Sequence, residues 1–160
     1  MGCSSNKNTI TNTIIQTNNY KFALNFNKDE VEIDLSNKPD EYKNFIKFCA
    51  NNTFPKLEYL NLSKNNLTDL SELKVLKSPR LKKLDLSNNK LNDIDCLKEL
   101  NFPVEELYIE GNDINSIELE QPFLKKLKKF RFGNNMNYTE KNNAIIKEQL
   151  ADNVISTLQT

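Results

Sequence analysis

Two sets of residues in this sequence carry chemistry by type and spacing. The first is Met1-Gly2-Cys3. Removal of Met1 exposes a glycine amine that takes a myristoyl amide, and the adjacent thiol takes a palmitoyl thioester. The acylation pattern is M-G-x-x-x-[ST]; its last position is filled here by Asn6. One acyl chain gives only marginal membrane binding, so Gly2 and Cys3 together would make the anchor. The usual alternative, a basic patch, is missing, since Lys7 is the only base before Lys21. Residues 4–19 are rich in Asn, Thr and Ser, which predicts a flexible tether. The bland reading is a polar tail whose second residue is glycine.

The second set is the thiols. Cys3, Cys49 and Cys96 are too far apart for a zinc site and too few for a disulfide framework, which points to a reducing compartment. Cys49 and Cys96 fall at apolar positions. The chain holds 0 His, so neither has an imidazole to activate it, and the commonest general base is absent. The 3 Gly are scattered and form no phosphate loop. No cofactor, metal, small-molecule substrate or catalytic residue is expected. The 22 basic residues balance the 22 acidic ones, which removes the bulk field that draws nucleic acid. No apolar run approaches the roughly 20 residues of a spanning helix, and no signal-peptide core is expected near the start. Asparagine fills 26 of 160 positions, in loops and strands alike, and reads as compositional bias.

The elements that position any site come from a repeat. Leu57–Leu67, Leu81–Leu91, Val104–Ile114 and Leu127–Asn137 align as L-x-x-L-x-L-x-x-N-x-L, broken only at Asn137. Leu60/Leu62, Leu84/Leu86, Leu107/Ile109 and Phe130/Phe132 are apolar at period 2, so each pair points one way from a short strand. The recurrent Asn65, Asn89, Asn112 and Asn135 can bond backbone where the chain turns out of the strand. No copy buries its apolar face alone, so the copies must stack. The return arms Leu67, Leu70, Leu73, Leu76 and Leu91, Ile94, Leu97, Leu100 step by three, which suits 3₁₀ turns. The third arm, Ile114, Ile117, Leu119 and Pro122, is irregular.

This pattern resembles the leucine-rich repeat, of the short, phosphatase-regulator-like intracellular type. The resemblance covers about residues 30–137 and implies an α/β solenoid with a parallel concave sheet. Residues 1–19 form the tail and residues 20–160 the repeat domain with its caps. Tyr20, Phe22, Leu24 and Phe26 alternate and should form a strand that pairs with the Ile33/Leu35 strand, covering the sheet edge. Pro39 opens a helix bearing Tyr42, Phe45, Ile46, Phe48 and Cys49. Thr139 is positioned to cap a C-terminal helix carrying Ala144, Ile145, Ile146 and Leu150, continued by Val154, Ile155 and Leu158.

Register then lays out the concave face in columns. The second repeat position reads Glu58, Lys82, Glu105, Lys128; the third reads Glu32, Tyr59, Lys83, Glu106, Lys129; the fifth reads Asp34, Asn61, Asp85, Tyr108, Arg131. Alternating charges either neutralise one another or make a docking face. Tyr59 and Tyr108 should face solvent, as anchors for a partner or packed over lysine stems. Carboxylates on an open sheet stay solvated, so none acquires the raised pKa of a general acid. The run Lys125-Lys126-Leu127-Lys128-Lys129-Phe130-Arg131 is the densest in base, either a solvated face or a surface for an acidic partner.

The expectation is a non-catalytic protein-binding module. Its candidate residues are Glu58, Tyr59, Asn61, Lys83, Asp85, Glu106, Tyr108, Lys129 and Arg131, with Gly2 and Cys3 as lipidation sites. It would be cytoplasmic, at the membrane face where acylated. The alternatives are a structural subunit of a ciliary or cytoskeletal assembly and a phosphatase regulator. The first is suggested by the similarity of Glu106-Leu107-Tyr108-Ile109 to dynein-associated light chains, the second by repeat type.

Overall fold

The computed structural model describes residues 13–17, 20–24, 26–100, 102–115, 117 and 126–135. The period-2 leucines produce strands of three residues. These are β3 (Glu32–Asp34), β4 (Tyr59–Asn61), β5 (Lys83–Asp85), β6 (Glu106–Tyr108) and β7 (Lys129–Arg131), numbered after β1 (Thr13–Thr17) and β2 (Tyr20–Leu24). β3 to β7 form one parallel sheet in chain order. Their middle residues Ile33, Leu60, Leu84, Leu107 and Phe130 pair in one line. All five are buried, as is the next row, Leu35, Leu62, Leu86, Ile109 and Phe132. Leu57, Leu81, Val104 and Leu127 fill a third row. Each buried side chain of this size contributes about 1.5–3 kcal/mol through burial.

Pairing continues beyond the three strand residues. Leu35, Leu62, Leu86 and Ile109 donate their N–H to the carbonyls of Asn61, Asp85, Tyr108 and Arg131 at 2.7–2.9 Å. Two residues on, Asn37, Lys64, Asn88 and Gly111 donate to Ser63, Ser87, Glu110 and Gly133. Those four donors, with Asn134, have φ between 55° and 68°. The chain must adopt the left-handed region there to leave the strand, and Gly and Asn do so at least cost. At Gly111 an added Cβ would also lie 2.7 Å from Asn88 Oδ1. Lys64 is the residue of this column least suited to its conformation.

The repeat asparagines are buried and close the turn. Asn89 Nδ2 donates to Leu62 O at 3.0 Å and Leu86 O at 2.9 Å, and its Oδ1 accepts from the N–H groups of Asn65 and Leu67. Asn65 bridges Leu35 O and Leu62 O, Asn112 bridges Leu86 O and Ile109 O, and Asn135 bridges Ile109 O and Phe132 O. Each side chain therefore ties one copy to the copy before it. The asparagine excess is thus not only compositional bias: ladder, left-handed and turn positions each call for this residue type.

The return arms hold 3₁₀ turns at Ser71–Val75 and Asp95–Glu99, as steps of three predict. Leu70, Leu73, Leu76 and Leu91, Ile94, Leu97, Leu100 are buried beneath the sheet, and Leu67 is partly buried. In the third arm Ile114 is buried and Ile117 packs against the core. Leu119, Pro122 and the helix expected after Thr139 lie outside the described residues.

Helix α1 (Pro39–Cys49) begins with Pro39, carries Asp40 and Glu41 in its first turn and Lys47 in its last, and so matches the helix dipole. Its Phe45 and Phe48 rings lie 5.3–5.7 Å from those of Phe26 and Phe54. The edge arrangement differs from expectation. The strand at Tyr20–Leu24 pairs antiparallel with Thr13–Thr17, not with β3. Two residues separate β1 from β2, which favours local hairpin closure over a longer-range pairing. Phe26 then packs its ring against Phe45 and Phe48 of α1. Thr13–Thr17, within the segment read as a tail, is therefore strand.

Replacing Asn89 by Ala removes its carbonyl contacts and leaves the N–H groups of Asn65 and Leu67 without this acceptor. Urea unfolding should show a loss of about 2 kcal/mol or more. Lys64→Asn should instead gain about 0.5 kcal/mol by relieving the left-handed lysine.

Candidate functional site

The outward residues of β4 to β7 are placed by the same pleat that buries Leu60, Leu84, Leu107 and Phe130. Third-column residues lie in register as Glu32, Tyr59, Lys83, Glu106 and Lys129. Fifth-column residues follow as Asp34, Asn61, Asp85, Tyr108 and Arg131.

The second column behaves as paired charge. Lys82 Nζ lies 3.1 Å from Glu58 Oε2, and Lys128 Nζ lies 2.7 Å from Glu105 Oε2. Both pairs are half exposed, so each contributes no more than about 1 kcal/mol. Glu58 is thereby tied to Lys82.

The third and fifth columns converge on two tyrosines. Lys83 Nζ lies 4.1 Å from the centre of the Tyr59 ring and 5.5 Å from that of Tyr108. Lys129 Nζ and the Arg131 guanidinium carbon lie 5.3 and 5.4 Å from the Tyr108 ring. Cations over an aromatic face are attracted by the ring quadrupole, by about 0.5–1 kcal/mol at exposed sites. Tyr59 is half-buried, as is Lys83. Tyr108 takes the second of its two expected arrangements, packed with the flanking basic side chains, and is only 7 % exposed. It stands on the outward face, but three basic side chains fold over it. Its hydroxyl donates to Glu106 Oε2 at 2.8 Å. Burial, then this hydrogen bond, pushes the Tyr108 hydroxyl well above the usual phenol range, while Arg131 acts the other way. Burial also raises Tyr59, aided by Asp85 and Asp34.

Asn61 and Asp85 do work that the columns do not reveal. Their Oδ1 atoms accept the N–H of Ser63 at 3.0 Å and of Ser87 at 2.9 Å, and the Ser87 hydroxyl also donates to Asp85. Asp34 does the same for Ser36 N–H, which holds its carboxyl below the usual carboxylate value. These are Asx turns that start the exit from each strand. The signal was present as Asp-Leu-Ser and Asn-Leu-Ser at Asp34–Ser36, Asn61–Ser63 and Asp85–Ser87.

Among the described residues there is no cluster of His, Cys, Asp or Glu suited to a metal, and no helix long and apolar enough to cross a membrane. A cleft of about 400 Å³ opens on the return-arm side, over Leu76, Pro79, Leu100 and Phe102. Cys49 is buried and Cys96 half-buried. Burial pushes their thiols up to about 12 and about 11 from an ordinary 9.0. Neither is poised as a nucleophile at neutral pH. Gly2 and Cys3 lie outside the described residues.

The raised thiols set a pH dependence. The unfolded chain releases these protons from about pH 9 upward while the folded chain retains them, so stability must fall as pH rises from about 9 toward 12. Urea midpoints measured at pH 7, 9 and 10 should decline in that order, and Cys49→Ala should flatten the decline.

No curated protein matches the chain. A family model for leucine rich repeats, in 2 copies, matches residues 55–99, the span of β4, β5 and their two 3₁₀ turns. Residues 55–99 are thus leucine-rich repeats, and five parallel strands in register, with an asparagine bridging each copy to the one before, carry the same arrangement to either side of them.

Proposed function

We propose that this chain is a protein-binding module that holds a partner on the outward face of β4 to β7. Leucine-rich repeat domains generally mediate protein–protein interaction and are typically non-catalytic. The observation that carries the reading to this face is the pair of tyrosines fixed by Lys83. Aromatic side chains held in one geometry lose little entropy on binding, which is what an interface anchor needs. Glu106, Lys129 and Arg131 surround them and would set the partner's orientation. Asn61 and Asp85 would contribute chiefly by shaping the strand exits.

The experiment is site-specific photo-crosslinking in extracts of native cells. A benzoylphenylalanine at Tyr59 should capture a discrete partner that excess unlabelled chain displaces. The same group at Lys98, on the return arm, should not. Capture from Lys98 alone would move the binding surface off the sheet.

A second reading concerns location and rests on Met1-Gly2-Cys3. Myristate on Gly2 and palmitate on Cys3 would hold the module at the cytoplasmic face of a membrane as an adaptor. The mass of the N-terminal peptide from native protein tests it. A peptide lacking Met1 and carrying both acyl groups supports the anchor; a free or acetylated terminus removes it.

A further inference from the structure

We propose that the β5–β7 end of the outward face receives an extended acidic segment of the partner, its carboxylates set against Lys83, Lys129 and Arg131 with Tyr108 as the floor between them. The inference rests on the binding role of this face and adds the chemistry of what binds there.

Basic charge exceeds acidic charge at this end of the face. Glu105 is cancelled by Lys128 at 2.7 Å. Glu106 accepts the Tyr108 hydroxyl at 2.8 Å and Asp85 accepts the N–H and hydroxyl of Ser87, neutral partners that leave both carboxylates charged. Against these two stand Lys83, Lys129, Arg131 and Lys126. Among the described residues, Lys83, Lys129 and Arg131 enter no ion pair within 4.0 Å. They rest on tyrosine rings instead. A ring attracts a cation but does not neutralise it, so the charges stay available to a carboxylate. Lys126, exposed at the entrance to β7, adds to the same field. The other end of the sheet carries Glu32 and Asp34, both exposed, which would repel an acidic segment and fix where it sits. Strands lie about 4.8 Å apart, so Lys83 and Lys129 are two spacings from each other. That span of about 10 Å suits carboxylates three residues apart on a chain extended as polyproline II, where every third side chain shares one side at about 3.1 Å per residue. An extended segment follows a sheet face of this kind, whereas a lipid surface would have to reach cations folded down onto Tyr108.

Hexaglutamate carrying a rhodamine label is the probe, read by fluorescence anisotropy on the full chain, with labelled hexalysine beside it. The wild-type chain should bind hexaglutamate and not hexalysine, less tightly as salt rises. Lys129→Glu with Arg131→Glu should weaken binding about tenfold or more. Lys43→Glu with Lys90→Glu, the same charge change placed elsewhere, should weaken it less than about twofold. Should the first variant fail to show a wild-type melting curve, Lys129→Gln with Arg131→Gln takes its place. Equal weakening in both variants, tighter binding of hexalysine, or no binding of hexaglutamate overturns the proposal. So does binding of phosphatidylserine vesicles by a chain that ignores hexaglutamate. If these fail while Tyr59 still crosslinks a partner, the face stands and only its chemistry is wrong.

Discussion

Everything on the outward face depends on the buried asparagine that links each copy to its predecessor. A turn out of a three-residue strand leaves carbonyls and N–H groups pointing into an apolar interior, where each unpaired group costs about 1–3 kcal/mol. One carboxamide per copy satisfies several of them. Asn89 reaches Leu62 O and Leu86 O while accepting from Asn65 N and Leu67 N. No apolar residue could do this, and Asp would bring a buried charge with acceptors only. The ladder sets the repeat spacing, and the spacing sets which outward side chains become neighbours.

The left-handed column follows from the same turn. Asn37, Lys64, Asn88, Gly111 and Asn134 each sit just inside the exit, and four of the five are of the types that adopt positive φ readily. Lys64 shows the preference is not absolute: a neighbour-to-neighbour ladder holds one poor residue in place when copies on both sides are well formed. The strain is local, and it lies two residues beyond Leu62, away from the tyrosine cluster.

The repeat, the five strands and the 3₁₀ arms were legible because period-2 and period-3 apolar spacing have only one way to bury their leucines. The paired second column was legible for a similar reason, since parallel register places Glu58 beside Lys82 and Glu105 beside Lys128. The edge was not. Tyr20 to Phe26 has the alternation of a strand, but alternation does not name a partner, and the two-residue link to Thr17 made the hairpin nearer. The choice between an open and a lysine-packed Tyr108 stayed undecided for another reason. Pleat alone puts it in solvent; only the reach of Lys83, Lys129 and Arg131 along the sheet covers it. Of the candidate site, position was readable and accessibility was not.

This division separates residues that shape the face from those free to recognise something. Asn61 and Asp85 stand in the recognition columns yet hold the turns, so a substitution there changes backbone geometry along with surface chemistry. The side chains of Tyr59, Lys83, Lys129 and Arg131 hold no turn of the kind that Asp34, Asn61 and Asp85 hold. Their side chains are ordered by one another. A partner that displaces the cations from Tyr108 must replace ring contacts with stronger ones, which a carboxylate does and a neutral surface does not. On the proposed reading the cluster would stay folded in on itself until an acidic group arrives, and that selectivity would need no movement of the backbone beneath it.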